Sequence, residues 1–332
     1  MRDRMHPLWW PALVAGSPLL APLALYLARR HKSERAQVAR ANELRLSSAS
    51  PLDLPVLQRL DLTTVVDWRP RQGFLGDAAV CYHFSSNAGA LLMDVGHGLE
   101  TPALQHNLQQ LGLDASQLDA LAITHLHLDH LGGLAAQQNK RLTTPRALTP
   151  EQPLPCFLPE ECETPGYEQE VLTAPGLLAA GWASTGPLAR AMFFHGRIEE
   201  QVLLARVEQG LVVVTGCGHP TIQLILEMVR RLSPEPIHAI VGGLHYPVTS
   251  SRSDRWGLPA QRVFSTGMLP HRRIDDRDLD IAIAALNEAR PARLLLSAHD
   301  SCDHALQRFQ NEAEAKVEVL EAGGRYELAA VS

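Results

Sequence analysis

One stretch, "LDALAITHLHLDHLGG" (118–133), constrains this chain more than any other. Its first half is a short apolar run of the kind that fills a buried strand. Its second half places His125, His127, Asp129 and His130 within six positions. His125 and His127 are two apart, so an extended backbone turns both imidazoles to one side. Asp129 and His130 follow as the chain turns into a predicted helix near Leu131, and Gly132 and Gly133 let the backbone pass close by. The pattern offers a pair of imidazoles to a first cation, and a carboxylate plus an imidazole to a second. Histidines that are merely solvated or packed in the core are the alternative; four donors at this spacing after a strand favour metal. Such donors suit Zn, and also Mn or Fe, and two such ions about 3.5–4 Å apart form a hydrolytic centre.

The rest of the chain supplies a scaffold. Short apolar runs recur between turn residues: "LTTVVD" (62–67), "AAVCYHF" (78–84) and "ALLMDVG" (90–96) precede the histidine stretch. "QVLLARV" (201–207), "LVVVTG" (211–216), "HAIVGG" (238–243) and "RLLLSA" (293–298) follow it. Helical patterns at 101–112, 220–232 and 278–289 lie between them, which predicts an α/β layered domain. Residues 137–195 are rich in Pro, Gly, Glu and Thr with little periodicity, and are expected to form a substrate-covering insertion.

Composition excludes some classes. At 332 residues and a formal charge of −6, the chain can bury a large core but has no broad basic field, so no nucleic-acid partner is expected. A small anionic substrate held by local arginines stays open. The five cysteines, Cys81, Cys156, Cys162, Cys217 and Cys302, are scattered without a CxxC pair, which fits a reducing compartment.

The N-terminus is a separate matter. Leu8 to Ala28 is 21 residues without a charge, flanked by Trp9, Trp10 and Tyr26, and its length matches a transmembrane helix. A cleaved signal peptide is the alternative, but no small-x-small site precedes "RRHK". Arg29, Arg30, Lys32 and Arg35 follow the span, so the positive-inside rule places a membrane-anchored catalytic domain in the cytoplasm. The expected organisation is an anchor over 1–28, a linker over 29–60 containing a short helix, and a catalytic domain over 61–332.

The HxHxDH pattern, with Asp94 ending the strand before it and Gly-Gly after it, resembles the metallo-β-lactamase fold superfamily. The resemblance covers residues 61 to about 330 and implies a four-layer αββα sandwich with a metal site at the sheet edges. "EEQVLLARVEQGLVVVTGCGHP" (199–220), "IVGGLHYP" (240–247) and "LLLSAHDSC" (294–302) resemble, within it, the dihydropterin ribofuranosyl-aminobenzene phosphate synthase branch. Gly218, Thr221 and the "SAHDSC" ending depart from that branch. Carried over, the resemblance makes His219 the third ligand beside His125 and His127, and His299 the third beside Asp129 and His130. It makes Asp94 a carboxylate that orients a ligand histidine, where a strand-ending turn Asp is the alternative. Cys217 stands where many members keep a bridging Asp, and is either a ligand or a small buried filler. His245 could give a proton or hydrogen bond to a substrate oxygen. Arg190 and Arg197 could form an anion pocket or be ordinary solvated arginines. His97 carries no signal of its own, and His195 is expected at the surface.

These readings point to a two-metal hydrolase acting on a small phosphate-bearing or pterin-like substrate, with Asp129 and His245 as catalytic side chains. A lactone or thioester hydrolase of the same fold, a membrane-tethered metal-binding module without turnover, and an iron-dependent redox protein are the rivals.

Overall fold

The computed structural model describes residues 9–250 and 272–329, together with residues 252, 254, 255, 258, 259, 261, 262, 266, 267 and 268. The apolar runs sort into two sheets. One has seven strands, in the spatial order Arg325–Ala329, Leu60–Val66, Cys81–Ser86, Gly89–Met93, Ala120–Ala122, Leu154–Leu158 and Tyr167–Val171. The other has eight, running Lys316–Val319, Arg293–Leu296, Ile237–Gly242, Gly210–Thr215, Gly196–Val207, Ala183–Met192 and Gly176–Leu177, with Val56–Leu57 beside Gly196–Val207.

Side-chain alternation decides which surface each sheet turns to its partner. In Gly210–Thr215, Val212 and Val214 pack with Phe84, Leu91 and Met93 of the opposite sheet. Leu211 and Val213 point the other way, against the helices Ile222–Leu232, Asp276–Ala289 and Asp303–Glu312. The first sheet carries the helix Ala103–Leu111 on its own outer face through Leu104 and Leu108. Each such fully buried aliphatic side chain stabilises the fold by about 1.5–3 kcal/mol. The result is a mixed α/β sandwich with helices outside two packed sheets, as the sequence implied.

A polar bolt crosses between the sheets. Gln201 is fully buried, and its amide nitrogen donates to the carbonyls of Ile123 at 2.8 Å and Phe157 at 3.0 Å. The Ser184 hydroxyl donates to the Gln201 side-chain oxygen at 2.6 Å. This fixes the point at which the chain leaves Ala120–Ala122 and enters the histidine stretch.

Three expectations are corrected. The expected membrane anchor is unsupported: among the described residues no helix is long and apolar enough to cross a membrane. A bilayer-length stretch beginning at Ser17 already takes in Arg29, Arg30 and Lys32. Leu8 and the residues before it, like the side chains of Trp9 and Trp10, lie outside the described residues. Nor are residues 29–48 a linker, because one helix runs from Trp9 to Ser48 and its second half docks on the domain. Asn42 is buried; its amide donates to the Ala189 carbonyl and accepts from the Ala189 N–H, both at 2.9 Å. Arg30 donates to the carbonyls of Phe193 and Phe194, and Arg45 forms a two-contact pair with Glu199. The helix thereby satisfies backbone groups that the strand Ala183–Met192 would otherwise leave open.

Residues 137–195, finally, are not an insertion. They supply the strands Leu154–Leu158, Tyr167–Val171 and Gly176–Leu177 and the first arm, Ala183–Met192, of a long hairpin. Short strands interrupted by Pro and Gly carry no readable period. Replacing Asn42 with Ala leaves both backbone groups of Ala189 without their partner, so Asn42→Ala should destabilise the protein by about 1–3 kcal/mol. Denaturant unfolding measures it; an unchanged midpoint would mean that the helix does not hold the strand.

Candidate metal centre

The centre lies where four chain segments leave the sheets. The first is the histidine stretch itself. His127 precedes a single helical turn, Leu128–Leu131, which Gly132 ends at φ 111°. A Cβ on Gly132 would lie 2.2 Å from the Thr143 carbonyl oxygen, so only glycine passes there. The turn swings Asp129 and His130 back under His125.

Cys217 and His219 ride on the turn after Gly210–Thr215, and a side chain from the adjacent strand holds that turn. Glu200, buried, takes hydrogen bonds at one oxygen from the backbone N–H groups of Gly216, Cys217 and Gly218, at 3.2, 3.1 and 2.8 Å. Its other oxygen accepts from the N–H of His219 at 2.8 Å. Burial pushes this carboxyl up to about 7 against the four donors, which favour the anion. His299 follows the strand Arg293–Leu296, and His245 follows Ile237–Gly242.

Two groups of donor atoms result. In the first, His125 Nε2 and His219 Nε2 each lie 3.1 Å from His127 Nδ1. Burial lowers all three imidazoles, His127 to about 4 and the other two well below their usual range, so at neutral pH each is uncharged. The ring nitrogen His127 Nδ1 is either a donor or an acceptor, with one in-plane site. It therefore satisfies at most one of its two contacts by hydrogen bonding, whereas a shared cation satisfies all three nitrogens. A cation bound at about 2.0–2.1 Å sets its nitrogen ligands about 2.9–3.4 Å apart, which the observed spacing fits.

In the second group, Cys217 Sγ lies 3.1 Å from His130 Nε2 and 3.2 Å from His299 Nε2, and Asp129 Oδ2 lies 3.6 Å from His130 Nε2. Cys217 also falls within reach of His125 and His219, so its sulfur stands between the two groups. Burial drives the Cys217 thiol and the His299 imidazole towards their neutral forms. Burial opposes charge on His130 as well, yet Asp94 and Asp129 lift it to about 9. Asp129, despite burial, is held at about 2 by the imidazoles of His130, His299 and His127.

The nitrogens that face away from the centre are also held. His130 Nδ1 lies 2.7 Å from Asp94 Oδ2. The same carboxylate accepts from Thr124 N–H at 2.7 Å and from its hydroxyl at 2.8 Å, and that hydroxyl lies 3.1 Å from His125 Nδ1. Asp94 adopts φ 59°, a strained conformation for a side chain of its kind, at the end of Gly89–Met93. On the far side, His299 Nδ1 lies 2.6 Å from Ser297 Oγ, which donates to Asp67 at 2.6 Å. Such outer partners fix ring orientation and raise ligand basicity.

The structure thus brings His125, His127, Asp129, His130, His219, His299 and Cys217 together with Asp94 behind them. His245, also at φ 60°, packs its ring 4.6 Å from that of His219. Both its ring nitrogens are buried without a hydrogen-bond partner, and burial lowers it to about 3. Arg190 lies beside this region, whereas Arg197 is exposed and paired with Glu199. Glu200, Thr124, Asp67, Ser297 and Asp300 were not among the residues singled out from sequence. Asp300, buried, accepts from the His245 N–H at 3.0 Å and so holds the strained turn. Only the "EEQ" at 199–201 gave a hint, since adjacent acidic and amide residues inside an apolar run demand buried partners.

A family model described as the Metallo-beta-lactamase superfamily matches residues 76–146. Among solved structures, the chain is similar to one described as a metal-dependent hydrolase of the beta-lactamase superfamily. That likeness has 19% identity and a TM-score of 0.56, and covers 80% of this chain and 98% of the other. It is also similar to the metallo-beta-lactamase fold protein YhfI from Bacillus subtilis, at 16% identity and a TM-score of 0.50, covering 81% and 99%. No curated protein matches the chain.

Glu200→Ala would strand four backbone N–H groups, so it should cost about 3 kcal/mol or more and loosen Cys217 and His219 together. Asp94→Ala should weaken metal binding by about 10–100-fold while leaving the fold in place. Unfolding curves and metal titration read the two separately; unchanged metal affinity in Asp94→Ala would refute the orienting role.

Proposed function

We propose, with the metallo-β-lactamase fold as premise, that this chain is a metal-dependent hydrolase that holds two divalent cations. Zinc is the first choice, with manganese or iron as alternatives that the same donors accept. The convergence of seven buried or half-buried donor side chains on one spot carries the reading. His125, His127 and His219 would hold one cation, and Asp129, His130 and His299 the other. Cys217 would serve both, because its sulfur is the one atom common to the two groups.

When bound, cations at this position lower the pKa of water towards neutrality and polarise a phosphoryl or acyl oxygen. The chain's own side chains do the rest. Asp129 is the most exposed of the cluster carboxylates, and is placed to orient a water and accept its proton. Asp94 and the Ser297–Asp67 pair hold His130 and His299 in place, so the charge arrangement is set before substrate arrives. His245 is neutral at physiological pH, so its role is to offer an N–H to a substrate oxygen rather than to supply a proton as an acid.

A small phosphate-bearing substrate is the favoured class, pterin-like ones included. Support comes from the cavity of about 210 Å³ beside His219 and His245, which Arg190 lines. Metal analysis should find two divalent ions per chain. His127→Ala and Asp129→Ala should each lower kcat/KM by about 100-fold or more with the fold retained, since even the outer partners of metal ligands are worth about 10–100-fold. Phosphodiesters, phosphomonoesters, lactones, thioesters and a β-lactam form the substrate panel. Turnover confined to lactones or thioesters would replace the phosphate reading. One tightly held metal without turnover of any of them would indicate a binding module.

A further inference from the structure

The docked N-terminal helix does more than cover a strand, because it forms one wall of a cleft. A cavity of about 490 Å³ lies between this helix, the strand Ala183–Met192 and the turn that begins at Pro220. That volume falls within the range of sites for small molecules. Its lining includes Arg35 from the helix, Arg190 from the strand and Arg272 from beyond it, and among the described residues no carboxylate side chain. Arg272 has a partner, Asp278, at 3.7 Å. Arg35 and Arg190 make no ion pair among the described residues; the Arg190 guanidinium has only a 3.4 Å contact to the Thr266 carbonyl.

Two like charges line the same space with no direct ion pair to either among the described residues, and Arg190 is partly buried. Burial and the nearby Arg35 charge lower the pKa of Arg190 and outweigh the opposing pull of Tyr246 and Asp278. The cleft is not isolated. It shares Arg190, Thr221 and Met268 with the smaller cavity that reaches His219 and His245. A molecule lying across both cavities would have one end at the metal centre and the other between the two arginines.

We propose that this cleft is an anion subsite in which Arg35 and Arg190 hold a phosphate or diphosphate group at the end of the substrate remote from the reacting bond. The inference rests on the hydrolase reading only for which end faces the metal centre. Guanidinium groups suit the role because they meet phosphate oxygens with paired, parallel N–H bonds. The helix that sequence suggested as a membrane anchor is then a specificity element, since Arg35 reaches the cleft only when the helix is docked through Asn42 and Arg45.

Calorimetric titration of the full-length, metal-loaded protein with inorganic pyrophosphate tests this. Binding should weaken about 10-fold in Arg35→Ala and in Arg190→Lys, and should weaken further as salt rises. Arg40→Ala, on the same helix but outside the cleft lining, should bind as the wild type does, and the metal content of all variants should be unchanged. Arg35 is exposed, so its variant decides the matter even if Arg190→Lys fails to fold. Wild-type affinity in Arg35→Ala, or no binding to the wild type, would overturn the subsite. Arg35-dependent binding without turnover of any panel substrate would instead leave the subsite standing and remove the hydrolase reading.

Discussion

Glu200 is the residue on which the candidate centre depends most. Its carboxylate gathers four backbone N–H groups from the Gly216–His219 turn, and that turn carries the thiol between the two donor groups and the imidazole that completes the first. The next residue, Gln201, ties the same strand to the carbonyls of Ile123 and Phe157 in the other sheet. One strand therefore sets both the distance between the sheets and the direction of the ligands. A buried carboxylate without a cationic partner is ordinarily expensive, and here the backbone donors offset that expense.

The same logic repeats at Asp94 and Asp67. Each carboxylate is fully buried, accepts hydrogen bonds from backbone and hydroxyl groups, and stands behind one imidazole of the centre. Three buried acidic side chains thus stand behind a cluster whose imidazoles burial keeps neutral, His130 excepted, which Asp94 and Asp129 hold towards its charged form. The net effect is a site with acidic groups placed behind its nitrogen and sulfur donors, a field that favours a divalent cation.

Much of this was legible in the chain. The histidine stretch, His219, His299 and Asp94 came from short motifs at strand ends, and the strands themselves came from apolar runs bounded by turn residues. What could not be read has a physical cause in each case. Asp67 and Ser297 act on His299 from 232 and 2 positions away, a pairing that only the packed sheets create. Leu154–Leu158 and Tyr167–Val171 lie among prolines and acidic residues that hide a strand's period. The N-terminal helix misled because an uncharged run of bilayer length says nothing about what its continuation packs against, and Asn42 and Arg45 settle that by bonding to the domain.

X-ray absorption at the metal edge of the loaded protein tests the central claim, that Cys217 stands between two imidazole-rich cation positions. The account predicts a shell of nitrogen and oxygen ligands at about 2.0–2.1 Å with imidazole scattering, and a sulfur at about 2.3 Å that disappears in Cys217→Ser. A shell without that sulfur, unchanged in Cys217→Ser, would contradict it.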